Sequence, residues 1–387
     1  MRFFLSAGEP SGDLHGSNLI SRLRRHAPGS VFTGFGGPKM AAAGCDLAAP
    51  LAEKPIIGLS AALKAVPELL GLLRKTVRTW DALRPDAVIL IDNPGFNWHV
   101  AKAAKKRGIP VVYFVPPQIW SWANWRVNKM RRLVDLVLCN LPFEEEWYRA
   151  RGVAAARYVG HPFFDDLARR PHDAAFQSEL LDDRKRIVAL LPGSRGYEVR
   201  YNAQTLLQSA LKLAPEFPDC KFVVAAFRGD HANYIDEMAM ALGVDVDVHV
   251  GRTPEILSVA TAAIAVSGSV SLELLHYRVP AAVIYRVSGF LYHVARPLLL
   301  KSKFTTLVNL IAECELYPEI LGASESSDRV VPIVSRWLKD ESLRQDLVVE
   351  LERLSKTFGR PGATDAAAEA VVELIRNRDT VVRAVPA

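Results

Sequence analysis

An apolar run that ends in a single carboxylate, Asp92, is the first feature of this sequence that could do chemistry. Residues 87–91 (AVILI) have the composition of a buried strand, and a turn, Asn-Pro-Gly at 93–95, precedes a helical pattern from Phe96. Such a carboxylate could cap the helix, bind a metal ion or act as a general base. No second carboxylate or histidine stands at ligand spacing beside Asp92, which weakens the metal hypothesis. Capping and catalysis stay open together, because the field of a helix N-terminus favours an ionised carboxylate that can accept a proton.

The loop at 6–16 (SAGEPSGDLHG) is typical of a strand that turns into a helix. Its glycines allow close approach of the backbone, and Ser11 or Asp13 could cap the helix. The free N–H groups of that helix would face an anion or a polar substrate, with Glu9 nearby. A tight turn with an ordinary cap is the alternative. The loop is neither a G-x-G-x-x-G nor a Walker A sequence, so nicotinamide and P-loop sites lose support.

A second glycine loop, 187–199 (IVALLPGSRGYEV), has residue types that suit a diphosphate. Gly193 and Ser194 could present backbone N–H groups, and Arg195 could bind phosphate oxygens through two hydrogen bonds. A surface arginine beside a turn is the alternative.

A third loop, 265–275 (AVSGSVSLELL), follows the same pattern and adds a carboxylate. Ser267 and Gly268 open a helix whose first turns include Glu273. A carboxylate there could accept both ribose hydroxyls while the helix N-terminus faces phosphate. Alone, Glu273 would more often be a solvated charge, but the Arg195 loop in the same half of the chain favours the nucleotide hypothesis.

Asn309 interrupts an otherwise apolar segment, 304–313 (FTTLVNLIAE). A buried amide needs hydrogen-bond partners. Asn309 therefore either caps a neighbouring loop or contacts the ligand.

Tryptophans and basic residues follow one another in 116–132 (PPQIWSWANWRVNKMRR). Trp120, Trp122 and Trp125 come just after a strand-like run and precede a cluster of Arg and Lys. The stretch could bind single-stranded nucleic acid or form a cleft wall for a lipid or sugar, with cations for phosphate. Core tryptophans with a solvated basic face are the third possibility.

The region 55–80 has apolar residues at helical spacing and a basic shoulder. The apolar stripe consists of Leu59, Leu63, Val66, Leu70, Leu73 and Val77. The shoulder consists of Lys64, Arg74, Lys75 and Arg78. Pro67 predicts a kink or two shorter helices. Such a stripe suits the surface of an anionic bilayer, and an ordinary helix packed on its own sheet explains it equally well.

The scaffold that positions these loops is predicted from short apolar runs that alternate with helical patterns, such as 95–107 and 198–213. The runs are 2–7, 31–35, 87–91, 110–115, 135–139, 156–159, 186–191, 220–226, 246–250, 262–266 and 281–285. This alternation predicts an α/β fold with parallel sheets covered on both faces. The polar segment 165–185 is interpreted as the link between two similar halves. Ligands of such sheets bind beyond the carboxyl ends of the strands, where these loops lie.

Composition agrees with two globular domains. The chain has 387 residues, too many for one ordinary core, and 50% of them are hydrophobic. Its net charge of +6 fits an acidic ligand, an anionic membrane or nucleic acid equally well. The four cysteines are far apart and match neither a disulfide framework nor zinc spacing, which favours a reducing cytoplasm. We expect neither a signal peptide nor a transmembrane helix, since no apolar run reaches ~18 residues.

Several blocks of the sequence together resemble a known family, the lipid-A-disaccharide synthases. In order along the chain, these blocks are AGEPSGDLHG, DNPGFN, PPQIWSW, LPFEEEWY, VGHPFFD, LLPGSRGYEV, SGSVSLE, YRVS and NLIAE…LYPE. They extend from about residue 3 to about residue 321. The resemblance implies a glycosyltransferase-B architecture: two Rossmann-like domains facing a cleft, with a C-terminal helix returning to the first domain. The expected domains are 1–170 (acceptor- and membrane-facing), 171–360 (UDP-sugar-binding) and 361–387 (the returning helix).

The family's reaction, and hence the expected activity, is that of a hexosyltransferase. It joins UDP-2,3-diacylglucosamine to 2,3-diacylglucosamine 1-phosphate with inversion, giving a β-1,6-linked disaccharide 1-phosphate and UDP. The resemblance implies no cofactor and no metal, a peripheral location on the inner face of the cytoplasmic membrane and, in some members, dimers that exchange C-terminal segments. It gives no role to nucleic acid.

The resemblance also implies roles for individual residues. Asp92 would be the general base, assisted in the cleft by Glu9. The acceptor and sugar would contact Ser11, Asn97, Gln118 and Trp120. The UDP-binding residues would be Gly193, Ser194, Arg195, Ser267, Gly268, Glu273, Tyr285 and Asn309.

The chain departs from the family pattern around Asn309. Val308, Glu313 and Cys314 stand where the family usually has Pro, Gly and Arg, so the resemblance does not extend to the geometry and local charge of the Asn309 loop. The rival hypotheses are another UDP-sugar enzyme (a UDP-N-acetylglucosamine 2-epimerase or the transferase that makes lipid II), a nucleic-acid-binding module and a sugar-nucleotide sensor without turnover. The DNPGFN and PPQIWSW blocks argue against the first rival.

Overall fold

The computed structural model describes residues 1–52, 59–181, 185–286 and 303–384, and at 59–66, 122 and 379–384 the backbone alone. The chain divides into two compact units. The first comprises Met1–Asp165 and the segment from Pro361 onward, and the second comprises Asp166–Arg360.

The first unit is built on a seven-stranded parallel sheet of order β3-β2-β1-β4-β5-β6-β7. Its strands are β1 (Arg2–Ala7), β2 (Val31–Phe35), β3 (Cys45–Ala49), β4 (Ala87–Ile91), β5 (Val111–Phe114), β6 (Leu136–Cys139) and β7 (Ala156–Tyr158). The helices are α1 (Pro10–His26), α2 (Pro38–Ala42), α3 (Leu59–Ala82), α4 (Pro94–Lys105), α5 (Ile119–Trp122), α6 (Val127–Leu133), α7 (Glu144–Arg149) and α8 (Pro162–Leu167). The strand order reverses between β1 and β4, which is where open α/β sheets bind ligands.

Strand β4 shows why these runs form a sheet with helices on both faces. Val88 and Leu90 point into one hydrophobic core, and Ile89 and Ile91 point into the other. All of these side chains are fully buried. An uninterrupted apolar run is therefore what a central parallel strand requires.

The second unit repeats this plan with a six-stranded parallel sheet of order β10-β9-β8-β11-β12-β13. Its strands are β8 (Arg186–Leu191), β9 (Cys220–Ala226), β10 (Asp247–Val250), β11 (Ala260–Val266), β12 (Ala281–Arg286) and β13 (Glu319–Gly322). The described helices are α9 (Ala174–Leu181), α10 (Gly196–Leu213), α11 (Gly229–Leu242), α12 (Thr253–Val259), α13 (Val270–Tyr277), α14 (Leu307–Ala312), α15 (Ser327–Lys339) and α16 (Glu341–Phe358). Here the order reverses between β8 and β11.

The last helix, α17 (Ala363–Ala384), belongs to the first unit and packs against α1. Ala367 and Val371 lie in the same core as Leu5 and Leu19. Asp165 fixes the start of α17, because its carboxylate accepts hydrogen bonds from the backbone N–H groups of residues 362 and 364. The prediction of a C-terminal helix that returns to the first domain is confirmed.

Within the described part of the chain, strands β3 and β13 and the helical structure of the segment 165–185 were not predicted. Strands β3 (CDLAA) and β13 (EILG) are short and contain charged residues, so neither resembles an apolar run. The segment 165–185, interpreted as a plain link, contains α9 and the end of α8. The apolar residues of α9 (AAFQSELL) do not gather on one side of the helix, so no helical period is visible in the sequence.

Helix α3 is a single helix with Pro67 inside it, rather than two shorter ones. In its second half Leu73, Val77 and Trp80 are buried in the core that contains Val88 and Leu90, while Arg74 is exposed. This half of the stripe therefore serves as an ordinary core face. Residues 53–58 and the side chains of 59–66 lie outside the described part, so membrane contact by the first half remains a prediction. None of the described helices has the length and apolar character needed to span a bilayer.

Candidate active site

The backbone turns sharply where β4 delivers Asp92. Asp92 and Asn93 both adopt the left-handed conformation, with φ of 45° and 42°. Neither residue is glycine; Asp and Asn tolerate this conformation better than other residues, but it still costs up to about 1–2 kcal/mol each, which the surrounding contacts must offset. Asn93 takes the N-cap position of α4, but its side chain makes no capping hydrogen bond. The helix begins at Pro94 rather than Phe96, and side-chain capping by this pair, one of the predicted roles, is wrong.

Two buried side chains hold this strained turn in place. The Tyr113 hydroxyl donates to the backbone oxygen of Asp92 at 2.7 Å, and the Nδ2 of Asn97 donates to the same oxygen at 2.7 Å. Asn97 also donates to the backbone oxygens of Ile91 and Ser6 and accepts a hydrogen bond from the Ser6 hydroxyl. Because Asn97 is fully buried and its amide is engaged throughout, it positions Asp92 instead of offering a free amide to a sugar.

The loop after β1 meets the loop after β4. A Cβ atom placed on Gly8 would stand only 1.8 Å from Nδ2 of Asn93, so any other residue at this position would force the Asn93 side chain to move. This close approach brings Glu9, which is exposed, to the neighbourhood of Asp92. The structure therefore gathers two of the predicted residues, Glu9 and Asp92, at the switch point of the first sheet.

Burial and, to a smaller extent, the negative charge of Glu9 together raise the pKa of Asp92 to about 6, while the backbone N–H of Asn93 acts in the opposite direction. In the described part of the chain no Lys, Arg or His forms an ion pair with Asp92. A carboxylate whose pKa lies near neutral pH is suited to accept a proton during a reaction.

A third strained residue lies at the end of the adjacent strand. Val115 follows β5 and has a φ of 52°, which is rare for a β-branched residue. It precedes Pro116, which restricts its backbone further. Strain at two neighbouring strand ends is typical of a functional edge.

Ser11 lies exposed in the first turn of α1, and it does not cap that helix. Asp13, the other predicted cap, is buried and serves a different helix. Its carboxylate accepts the backbone N–H groups of residues 37, 39 and 40 at the start of α2. The prediction that Ser11 or Asp13 caps α1 is wrong, because Glu9 occupies the N-cap position.

The tryptophan stretch contains an interaction that the sequence did not reveal. Trp120 is half-buried, and its Nε1 donates to Oε1 of Glu144 at 3.0 Å. Glu144 is fully buried and also accepts two backbone N–H groups, and burial raises its pKa to about 7. Gln118 is exposed at the N-terminus of α5, and Trp125 is exposed with Arg126 over its ring.

The Arg195 loop of the second unit already binds a carboxylate of its own chain. Oε2 of Glu198 accepts the backbone N–H groups of Ser194 and Arg195, each at 3.1 Å, and Oε1 accepts from the Arg195 guanidinium. Gly193 has a φ of 98°, and a Cβ there would stand 2.7 Å from the Glu198 carboxylate. The loop thus has the geometry of an anion site, with Glu198 in the position of the anion.

Glu273, in α13, is paired with Arg170. Its Oε1 lies 3.4 Å from the Arg170 guanidinium, and its side chain is 13% exposed. Burial raises the pKa of Glu273, while the charge of Arg170 lowers it. Gly268, before α13, is exposed with open space beside it, whereas the N–H of Ser267 is used within the sheet. Tyr285, the residue before the last one of β12, is half-buried against the hydrophobic core of the second unit.

Asn309 is fully buried, and each polar atom of its amide has two partners. Nδ2 donates to the backbone oxygen of Tyr317 and to Glu319, and Oδ1 accepts the N–H groups of Leu316 and Tyr317. Of the two predicted roles, the geometry gives Asn309 that of holding a neighbouring loop. Glu313 adopts a φ of 58° at the end of α14, a position where glycine is preferred.

Comparison with known proteins adds to this geometry. A family model described as "Lipid-A-disaccharide synthetase" matches residues 3–360. The chain is 37% identical over 376 residues to "Lipid-A-disaccharide synthase" of Anaeromyxobacter dehalogenans (strain 2CP-1 / ATCC BAA-258), covering 97% of this chain and 98% of the relative. It is 36% identical over 375 residues to the protein of the same name from Myxococcus xanthus (strain DK1622), covering 97% of both.

Solved structures that resemble the chain are much more distant in sequence. UDP-N-acetylglucosamine 2-epimerase from Neisseria meningitidis bound to UDP-GlcNAc has a TM-score of 0.65 at 11% identity, covering 96% of this chain and 100% of that one. The calicheamicin glycosyltransferase CalG4 has a TM-score of 0.62 at 16% identity, covering 98% and 99%. These similarities concern the fold alone, and they confirm the predicted α/β class of glycosyltransferase-B type.

Proposed function

Because the chain belongs to the lipid-A-disaccharide synthase family and is therefore a hexosyltransferase of lipid A biosynthesis, we propose that it uses the substrates named for that family above. The donor is UDP-2,3-diacylglucosamine, and the acceptor is 2,3-diacylglucosamine 1-phosphate. The products are a β-1,6-linked disaccharide 1-phosphate and UDP, with inversion at the anomeric carbon.

Asp92 is the general base of this reaction. As the acceptor 6-hydroxyl attacks, its proton passes to the Asp92 carboxylate and its oxygen bonds to the anomeric carbon. The bond from that carbon to the UDP oxygen breaks, and the electron pair leaves with the diphosphate. The observation that supports Asp92 most is its setting: a strained turn held by Tyr113 and Asn97, and a pKa of about 6. Glu9 keeps that pKa high and lies where the acceptor sugar would bind.

The loop of Gly193, Ser194 and Arg195 receives the diphosphate of UDP. Glu198 now occupies its N–H groups, and phosphate oxygens would replace that carboxylate as acceptors. Arg195 then offsets the charge that develops on the leaving group. Its side chain is 60% exposed, so it can turn to a ligand without breaking a core contact.

The remaining predicted residues surround these two centres. Glu273 accepts the ribose hydroxyls, beside Ser267, Gly268 and Tyr285, and Asn309 supports the donor site through its loop. The exposed groups of Ser11 and Gln118, together with the Trp120 ring fixed by Glu144, contact the acceptor.

Both substrates have acyl chains, so we place the enzyme on the inner face of the cytoplasmic membrane as a peripheral protein. In the described half of the basic shoulder of α3, Arg74, Lys75 and Arg78 are exposed and suit anionic lipid. Sedimentation with anionic and with neutral vesicles tests this placement. Analytical ultracentrifugation tests the predicted homodimer.

The reaction is tested with both lipid substrates in detergent, and UDP and disaccharide are followed by mass spectrometry. We expect both products in equal amounts, and none when either substrate is omitted. Bound UDP without disaccharide would contradict the proposal and favour a sugar-nucleotide sensor. Conversion of UDP-N-acetylglucosamine to its 2-epimer would favour the epimerase hypothesis.

A further inference from the structure

The segment that opens the second unit is docked along one face of helix α13. Arg170 lies 3.4 Å from Glu273, and Nε2 of His172 lies 3.4 Å from the hydroxyl of Tyr277. Glu273 and Tyr277 are four residues apart, so both contacts fall on the same side of the helix. Two successive contacts one turn apart define a fixed register between the segment and α13.

Arg170 is itself held in place by a second carboxylate. Its Nε and Nη2 both reach Oδ2 of Asp166, at 2.9 and 2.8 Å. The Arg170 side chain is 28% exposed, and that of Asp166 is 21% exposed. Because a guanidinium is planar and rigid, fixing one edge on Asp166 fixes the direction of the edge that faces Glu273.

The other carboxylate oxygen of Glu273 is left without a donor. Oε1 faces Arg170, whereas Oε2 is buried and has no hydrogen-bond partner among the described residues. A buried carboxylate oxygen without a donor is costly, so such an atom usually has a partner in the working protein. Vicinal ribose hydroxyls are donors of the right kind, and the diphosphate loop belongs to the same sheet.

We propose that Arg170 is a positioning residue for nucleotide recognition. It holds Oε1 of Glu273 so that Oε2 is fixed to accept a ribose hydroxyl, which lets the enzyme distinguish a ribonucleotide from a deoxyribonucleotide. This inference rests on the proposed function, since it takes UDP as the nucleotide. It adds a residue from the start of the second unit, outside the glycine loops, to the donor site.

The test measures binding of UDP, 2′-deoxy-UDP and 3′-deoxy-UDP by calorimetry. We expect the wild type to prefer UDP over at least one deoxy analogue by about 10-fold or more, in line with a hydrogen bond to a charged group. Arg170→Gln should lose about 10-fold in UDP affinity and keep its affinity for that analogue. Arg170→Lys retains the charge without the planar guanidinium, so its UDP affinity should lie between those of the wild type and Arg170→Gln.

A double variant and a control separate positioning from general stability. Arg170→Gln combined with Glu273→Gln should bind UDP no more weakly than Glu273→Gln alone, because the two residues act as one unit. Arg186→Gln is the matched control: Arg186 pairs with Asp219 at 2.7 Å at the opposite end of β8, and its side chain is 35% exposed. We expect Arg186→Gln to keep the wild-type preference.

Equal losses of UDP and deoxy-UDP affinity in Arg170→Gln would overturn the inference, and so would unchanged affinities. If Arg170→Gln does not fold, as judged by circular dichroism, the same comparison of UDP and deoxy-UDP affinities is made with Arg170→Lys. A wild type with ribose preference but no disaccharide product would contradict the proposed function and leave this inference standing. A wild type that binds no UDP would contradict both.

Discussion

Asp92 and Arg195 both lie at the carboxyl end of a central parallel strand, next to the point where the strand order of their sheet reverses. Asp92 has no cationic partner among the described residues, its backbone is strained, and its pKa is raised to about 6. Arg195 is paired with Glu198, and in the same unit Glu273 is paired with Arg170. The charge of Asp92 is therefore not balanced by an opposite charge, whereas the charges of Arg195 and Glu273 are.

This difference matches two kinds of chemistry. A proton acceptor needs a pKa near the working pH, and an opposite charge beside it would lower that pKa. A binding group needs an ionised side chain held in one direction, and an internal partner supplies that until the ligand replaces it. The arrangement at Asp92 costs free energy, because its backbone is strained and its carboxyl group is buried without a cationic partner. The hydrogen bonds from Tyr113 and Asn97 to the Asp92 backbone oxygen hold the strained turn in place.

The largest effect is expected from removing the charge of Asp92. Asp92→Asn should lower turnover by about 100-fold or more while UDP affinity stays at the wild-type level, because the base is lost and the donor site is not. Steady-state rates and UDP calorimetry measure the two quantities. Asp81→Asn, an exposed acid paired with Arg107, is the control and should be active. Near-normal turnover of Asp92→Asn would mean that another residue is the base.

The opposite pattern is expected at Arg195. Arg195→Gln should weaken UDP binding by about 10- to 100-fold, the range of a charge-assisted hydrogen bond, and Asp92 should keep its raised pKa. Calorimetry and the pH–rate profile report the two effects. Arg353→Gln removes a comparable arginine, paired with Glu350 three residues away, and should bind UDP normally. Unaltered UDP affinity in Arg195→Gln would remove Arg195 from the diphosphate site.

A smaller effect is expected from loosening the turn that presents Asp92. Tyr113→Phe deletes one hydrogen bond to the Asp92 backbone, worth about 1 kcal/mol, and should lower turnover by about 3- to 10-fold with UDP affinity retained. Tyr148→Phe is the matched control, since Tyr148 lies in the same core and its hydroxyl has no hydrogen-bond partner in the described part. Equal rates for the two variants would show that Tyr113 does not position the acid.

The smallest effect concerns pH. In the wild type kcat/KM should fall as the pH drops below about 6, because Asp92 becomes protonated and cannot accept a proton. Glu9→Gln removes a negative charge that raises this pKa, so the acid limb should move to lower pH by less than about one unit. The pH–rate profile measures the shift, with the exposed Glu146→Gln as control. A limb that stays in place, or moves to higher pH, would contradict the coupling of Glu9 to Asp92.

The elements that the sequence predicted well are those whose pattern is local. Apolar runs such as 87–91 identified most of the strands, and the glycine loops identified the strand ends where the candidate residues lie. Strands β3 and β13 escaped because they are short and partly polar, so their burial comes from neighbouring strands rather than from their own composition. The left-handed backbone of Asp92, Asn93 and Val115 was not predicted, because Asp and Asn tolerate that conformation without requiring it and valine ordinarily avoids it.

The partners of the site residues were not predictable for a related reason. Tyr113, Glu144 and Arg170 are far in sequence from the groups they hold, and only the folded sheet brings them together. Asn97 and Asn309 were nominated as ligand contacts, although their apolar surroundings in the sequence also signalled burial. Asn97 and Asn309 each make four hydrogen bonds to described residues, so both amides hold neighbouring backbone in place rather than contact a ligand.

The return of α17 to the first unit has a consequence for how the chain matures during translation. Leu5 and Leu19 leave the ribosome early, but Ala367 and Val371, which lie in the same core, follow roughly 350 residues later. At about 5–20 residues per second this is a delay of roughly 20–70 s. During that time the face of α1 that awaits α17 is open to chaperones or to misassembly, so the nascent first unit completes its core only after the second unit has been synthesised.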